Sequence, residues 1–255
     1  MKHHVINGMI VTLFFMIGAL LPTPILAETP SITLHYNERV PYLVTTPQGE
    51  ATGLTATPAQ QAFELAGIPF VWELTPSKRQ MQVVQENEGY DCLVGWFKNP
   101  EREKFAKYTL PIYQDQPQIA IARADNSELR SGMSVDELLS HPKLFMEAKD
   151  GYSYGKFLDE KIAQHKPNIE KAIVENIQML MKVQVGRSDY FFIAPEEADG
   201  LLALSNFSKE DFQYVTFSDM PQGEYRYILC SQQVSDAIIQ RLDAAIQEKI
   251  LPTLL

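Results

Sequence analysis

Cysteine is nearly absent: Cys92 and Cys230 are the only two in 255 residues. That excludes a disulfide scaffold and any cysteine-rich metal site, and leaves two readings, a single bridge in an exported chain or a pair of buried free thiols. Histidine is sparse too. His35, His141 and His165 are scattered without ligand-like spacing, so neither a metal nor another cofactor is expected. Positive charge is in deficit, with 22 Lys and Arg against 32 Asp and Glu and a formal charge of −10. Such a chain repels phosphate backbones, which makes nucleic acid a poor partner. After Ala27 there is no long apolar run, and stretches such as residues 190–195 have only the length of strands. Internal repeats and low-complexity segments are also missing.

What the sequence does have begins with a leader. Lys2, His3 and His4 precede an apolar run from Met9 to Leu21, then Pro22, Pro24, Ile25 and Ala27. The run is shorter than the roughly 20 residues that span a bilayer, and Ile25 and Ala27 suit the positions three and one before a cut. Residues 1–27 read as a signal peptide cleaved after Ala27. With no cysteine near the cut, a soluble exported protein in the periplasm is expected, and an uncleaved anchor is the alternative.

From residue 31 strands and helices alternate, which predicts an α/β fold with mostly parallel sheets. Strands are expected over residues 31–36, 69–74 and 90–97. A helix opens with Thr57 as N-cap and Pro58 in its first turn, and its Ala59, Ala62, Phe63 and Ala66 share one face. A second helix is expected over residues 77–86. Residues 114–117 (QDQP) break the pattern. A second alternation follows, with strands at 118–123, 144–148, 189–193 and 213–217 and helices at 135–140, 155–164 and 174–185. Residues 219–223 (DMPQG) form another turn-rich loop. A strand over 225–231 and an amphipathic helix over 234–250 then rejoin the first half. Two linkers imply a discontinuous domain: residues 28–115 plus 222–255 as one lobe and 116–221 as the other.

Residues 150–155 (DGYSYG) contain a Gly-x-Ser-x-Gly string, the pattern of a serine-hydrolase nucleophile elbow. The string needs an acid and then a histidine later in the chain. Only His165 follows, at the far end of the helix this turn would start, on the order of 15 Å along the axis. No catalytic residue is assigned. The alternatives are that Ser153 and its turn aim donors at a bound anion, or that Ser153 caps its own helix.

Residues 91–113 (DCLVGWFKNPEREKFAKYTLPIY) resemble the bacterial extracellular solute-binding proteins of family 3, the polar amino-acid receptors of ABC importers. Gly95, the turn Lys98-Asn99-Pro100, Glu101-Arg102 and residues 108–113 match the family's order. So do Gly53, the Gly151-Tyr152-Ser153 turn and Gly186-Arg187-Ser188-Asp189. The resemblance implies the type II periplasmic-binding-protein fold, two α/β lobes joined by a two-segment hinge with a ligand cleft between them. It implies a monomer that holds a small anionic or zwitterionic solute, with an inner-membrane ABC permease or a sensor as partner. Arg102 would clamp the solute's carboxylate as a planar two-donor fork, and Tyr152 and Ser153 would add donors from the opposite lobe. Trp96 and Phe97 would stack on the solute or pack into the lobe, and Arg39, Arg79 and Lys98 would make the pocket cationic. The family's amine-binding acid falls at Ala194, which leaves Glu196 or Glu197 as substitutes. Two other functions stay open: an enzyme resembling the cyclic-acid dehydratases built on this scaffold, with Glu196, Glu197 or Lys98 as acid or base, and an orphan ligand sensor.

Overall fold

A computed structural model describes residue 1 and residues 30–254, so most of the expected leader and its cut after Ala27 lie outside the described residues. Among the described residues no helix is long and apolar enough to cross a membrane.

The chain runs through β1 (Ile32–Tyr36), the short strands β2 (Val44–Thr45) and β3 (Ala51–Thr52), α1 (Ala56–Leu65), β4 (Phe70–Leu74), α2 (Ser77–Glu86), β5 (Asp91–Phe97), the single turn α3 (Pro100–Glu103), β6 (Ala106–Tyr108) and β7 (Tyr113–Gln114). It then crosses into β8 (Ile119–Arg123), α4 (Val135–Leu139), β9 (Phe145–Lys149), α5 (Lys156–His165), β10 (Asn168–Ala172), α6 (Asn176–Gln184), β11 (Tyr190–Ile193), α7 (Pro195–Leu204) and β12 (Phe212–Val215). It returns through β13 (Tyr225–Ser231), α8 (Asp236–Lys249) and α9 (Leu251–Leu254).

Beside the small antiparallel β2-β3 pair, two large sheets result, one in order β4-β1-β5-β13-β6 with β7 also on β13, the other in order β10-β9-β11-β8-β12. They are mixed, not mostly parallel. β4, β1 and β5 run parallel, as do β10, β9 and β11, but β13 lies antiparallel to β5 and β8 antiparallel to β11. The reason is geometric. β8 and β13 each start at a crossover, beside the carboxyl ends of the parallel strands, and a strand that starts there must run the other way.

Local sequence accounts for most elements. On β8, Ile119 and Ile121 enter one core cluster while Ala120 and Ala122 enter another, the period-2 alternation of a strand buried on both faces. Helix α1 buries Ala59, Ala62 and Phe63 as expected, but it starts at Ala56. Thr57 is no N-cap, because its hydroxyl accepts the Gly53 N–H at 3.2 Å. Besides the short β2, β3, α3, β6, β7 and α9, two longer elements were not anticipated. β10 (NIEKA) is largely exposed and has no apolar alternation, and α7 opens with Pro195 at its first turn directly after β11.

Cys92 and Cys230 face each other across β5 and β13 and form a disulfide, Cα to Cα 4.0 Å, between segments 138 residues apart. The bridge joins the two separated pieces of the first sheet. The crossovers meet at Gly223. A Cβ there would come within 1.9 Å of the Asp115 carbonyl oxygen, so only glycine lets the two strands pass. Arg226, 2% exposed, closes the hinge with two parallel bonds to Asp115, 2.5 Å from Nε and 2.6 Å from Nη2.

Candidate functional site

Ligands of open α/β sheets bind beyond the carboxyl ends of the strands. Here Asn37 and Arg39 after β1, and Gly95 to Phe97 at the end of β5, face Lys149 at the end of β9, Tyr152 to Tyr154 after it and Glu197 after β11. Together they enclose a cleft between the lobes. The open volume in its depth is about 30 Å³, room for little more than water, so a larger solute enters only as the lobes part.

Gly95 aims one wall. It sits at φ +81° at a register shift where Tyr227 pairs with Trp96 and Ile228 with Val94, so it is the extra residue of a bulge. Cys92 and Val94 join the main core of the lobe. Without the bulge Trp96 would point the same way, but it packs with Leu93 on the other face. The Trp96 Nε1–H donates to Gln80 at 3.0 Å and the ring lies 5.8 Å from that of Tyr152 in the opposite lobe.

Arg102 comes from α3, whose Asn99 cap accepts the Arg102 N–H at 2.9 Å. The side chain folds back so that Nη1 reaches the Phe97 carbonyl at 2.9 Å and Nη2 the Gly151 carbonyl, across the cleft, at 3.3 Å. Its guanidinium stands 4.8 Å from the Trp96 ring centre. It is 6% exposed and makes no ion pair among the described residues. Burial draws its pKa below the ordinary arginine value.

The Ser153 turn engages its own helix. The Ser153 hydroxyl donates to Asp159, which also accepts the Tyr154 N–H at 2.9 Å. The Gly155 N–H donates to Ser153 Oγ at 3.2 Å, and the Lys156 N–H to Glu224 at 2.9 Å. His165 is occupied elsewhere, 2.7 Å from Asp136 and 3.1 Å from Ser140, so the Gly-x-Ser-x-Gly string has no histidine. The Tyr152 ring is flanked by Lys149 at 4.5 Å and Arg39 at 5.7 Å.

Arg39 crosses the cleft to Glu197 with two bonds of 2.6 Å, and Asn176 adds a third to the same carboxylate at 2.6 Å. Burial pushes the Glu197 carboxyl up, but the charge and hydrogen bonds of Arg39 prevail and hold it below the ordinary range.

Glu196, Arg79 and Lys98 fall outside the cleft. Glu196 turns to the hinge, where one oxygen accepts from Tyr42 and Tyr113 at 3.2 Å each and from the Gln116 N–H at 3.1 Å. Adjacent residues on a helix do not share a face, so only Glu197 can look inward. Arg79 lies exposed on α2, paired with Glu86 at 2.9 Å, and Lys98 is exposed beside Glu103 at 2.9 Å. Neither lines the cleft. Phe97 does, with its ring 4.4 Å from the Arg226 guanidinium.

Arg226, Tyr42, Lys149 and Asn176 also line the cleft and were not anticipated. A charged residue inside the apolar strand YRYILCS was a usable signal for Arg226, since a buried arginine requires a partner. Lys149, at the carboxyl end of a predicted strand just before the glycine turn, was another. Nothing local marked Tyr42 or Asn176.

Residues 32–248 match the bacterial extracellular solute-binding proteins, family 3. Among solved structures the chain is similar to an ancestral arginine-binding protein bound to arginine, at 11% identity and TM-score 0.68, covering 89% of this chain and 99% of that one. It is similar to a structure from work on glutathione import in Gram-positive bacteria via GshT and the cystine ABC importer TcyBC of Streptococcus mutans, at 12% identity and TM-score 0.70, covering 88% and 90%. A third is the ancestral amino acid-binding protein AncCDT-1, a precursor of cyclohexadienyl dehydratase, at 14% identity and TM-score 0.65, covering 86% and 88%. No curated protein matches the chain.

Proposed function

The chain belongs to the bacterial extracellular solute-binding proteins, family 3, and from that premise we propose that it is a periplasmic receptor. It captures a small anionic or zwitterionic solute between its lobes and passes it to an ABC importer. One observation carries the reading: Arg102, buried in the cleft wall, is held by backbone carbonyls and an indole ring, with no carboxylate in ion-pair contact among the described residues. A buried cation without a counter-ion is costly, and a ligand carboxylate that accepts its fork of donors relieves that cost.

Closure follows from the same contacts. Arg102 and Trp96 in one lobe meet Gly151 and Tyr152 in the other, so a solute held by Arg102 also touches the turn that must swing in. The residues an enzyme would need as acid or base are otherwise engaged, Glu197 by Arg39, Glu196 by the hinge hydroxyls and Lys98 by Glu103 on the surface. This favours binding without chemistry.

The test is a melting screen of the mature chain against amino acids, dicarboxylates and aromatic acids. A solute at 100 times its Kd stabilises the folded state by about 2.7 kcal/mol. The expected result is a rise for at least one class, lost in Arg102→Ala. A rise that persists in Arg102→Ala removes Arg102 from the site, and steady consumption of the bound compound replaces the receptor with an enzyme.

A further inference from the structure

The charges along the cleft are unevenly matched. Arg39, Arg102, Lys149 and Arg226 reach its walls, against a single carboxylate, Glu197. That carboxylate is already covered, by two bonds from Arg39 and one from Asn176. The acids just behind the walls are covered too. Asp115 is taken by Arg226 on both oxygens, Asp159 by the Ser153 hydroxyl and the Tyr154 N–H, and Glu175 by Lys149 at 2.5 Å. Each of these acids therefore has a donor from this chain, while Arg102 has no carboxylate within bonding distance and donates only to carbonyls.

A carboxylate and an ammonium meet this cleft differently. The carboxylate loses water and gains the Arg102 fork. The ammonium loses water, approaches Arg102 and finds the one carboxylate on the cleft's lining, Glu197, already bonded by Arg39 and Asn176, so its desolvation is not offset. We infer that the cleft selects carboxylates that carry no ammonium group, and that Arg39 sets this selectivity by occupying Glu197. The inference rests on the receptor reading above and narrows its solute class from amino acids to organic acids. Selection here works through the penalty on the wrong ligand as much as through attraction of the right one.

Matched probes test it: succinate against aspartate, glutarate against glutamate, and 3-phenylpropionate against phenylalanine, each titrated calorimetrically into the mature wild-type chain. The acid without the amino group is expected to bind at least about tenfold tighter in any pair that binds. An amino acid that binds as well as its partner or better overturns the inference and leaves the receptor standing. If no member of any pair binds, the receptor reading falls and this inference with it.

Two variants probe the device, read as the ratio of affinities within a pair so that effects common to both members cancel. Arg39→Gln exposes Glu197 and is expected to move the ratio toward the amino acid by about tenfold. Glu197→Gln removes the acid and frees Arg39, and is expected to tighten binding of the acid without the amino group. Should Arg39→Gln fail to melt cooperatively, Glu197→Gln decides alone. A ratio that stays put or moves toward the amino acid in Glu197→Gln overturns the role of the Arg39–Glu197 pair.

Discussion

Hinge and cleft each bury an arginine, and they hold it in opposite ways. In the hinge, Arg226 is locked to Asp115 by two bonds, adds a third to the Gly95 carbonyl at 2.9 Å, and is stacked by the Tyr42 and Phe97 rings at 4.2 and 4.4 Å. In the cleft, Arg102 has two carbonyls and one indole. Carbonyl dipoles satisfy N–H donors but do not cancel a unit charge. The same side chain is therefore a fixed strut in one place and a receptive group in the other, and what differs is the carboxylate beside it. Arg39 and Glu197 stand between these extremes, a complete ion pair whose two halves belong to different lobes.

The comparison is broken most directly at the strut. Asp115→Ala leaves Arg226 buried and unpaired, and the unfolding free energy from denaturant titration is expected to fall by about 3–5 kcal/mol. A fall under about 1 kcal/mol would mean that the hinge pair is no strut.

The cross-lobe pair gives a smaller, pH-dependent effect. Glu197 has a folded pKa below its ordinary 4.5, so its pairing contributes fully above pH 4.5 and is lost as pH drops through the folded value beneath it. Melting temperature should decline in that acidic range, and Glu197→Gln should lose that part of the decline. Identical profiles for the two chains would count against the pair. Smallest of all is Arg102→Met. Replacing a buried cation that has no carboxylate with an apolar chain of similar length is expected to leave the solute-free melting free energy within about 1 kcal/mol, or to raise it. A loss as large as that of Asp115→Ala would erase the difference between the two arginines.

Much of the fold was readable in the sequence because it is written in local pattern. The alternation IAIAR in β8, the Ala59, Ala62 and Phe63 stripe of α1, and the turn-rich stretches at residues 114–117 and 219–223 each mark an element or a break. β10 escaped because an exposed edge strand carries no apolar alternation. The cleft lining was readable only where a motif fell in a recognisable order, as for Arg102, Tyr152 and Ser153. Arg79 and Lys98 were misjudged since proximity in sequence to a cleft segment does not fix which way a long side chain turns. Both turn outward to acids on neighbouring turns.

The sequence by itself determined the α/β class, the two crossings between lobes and the arginine that follows the Lys98-Asn99-Pro100 turn, because periodicity, turn chemistry and motif order are properties of neighbours along the chain. Only the tertiary structure decided that Cys92 meets Cys230, that Arg226 belongs to Asp115, and that Glu197 rather than Glu196 looks into the cleft, already held by Arg39. Each of those pairings joins residues more than a hundred positions apart. A charge acquires its role from whichever opposite charge the fold brings within a few ångströms, and no local pattern records that distance.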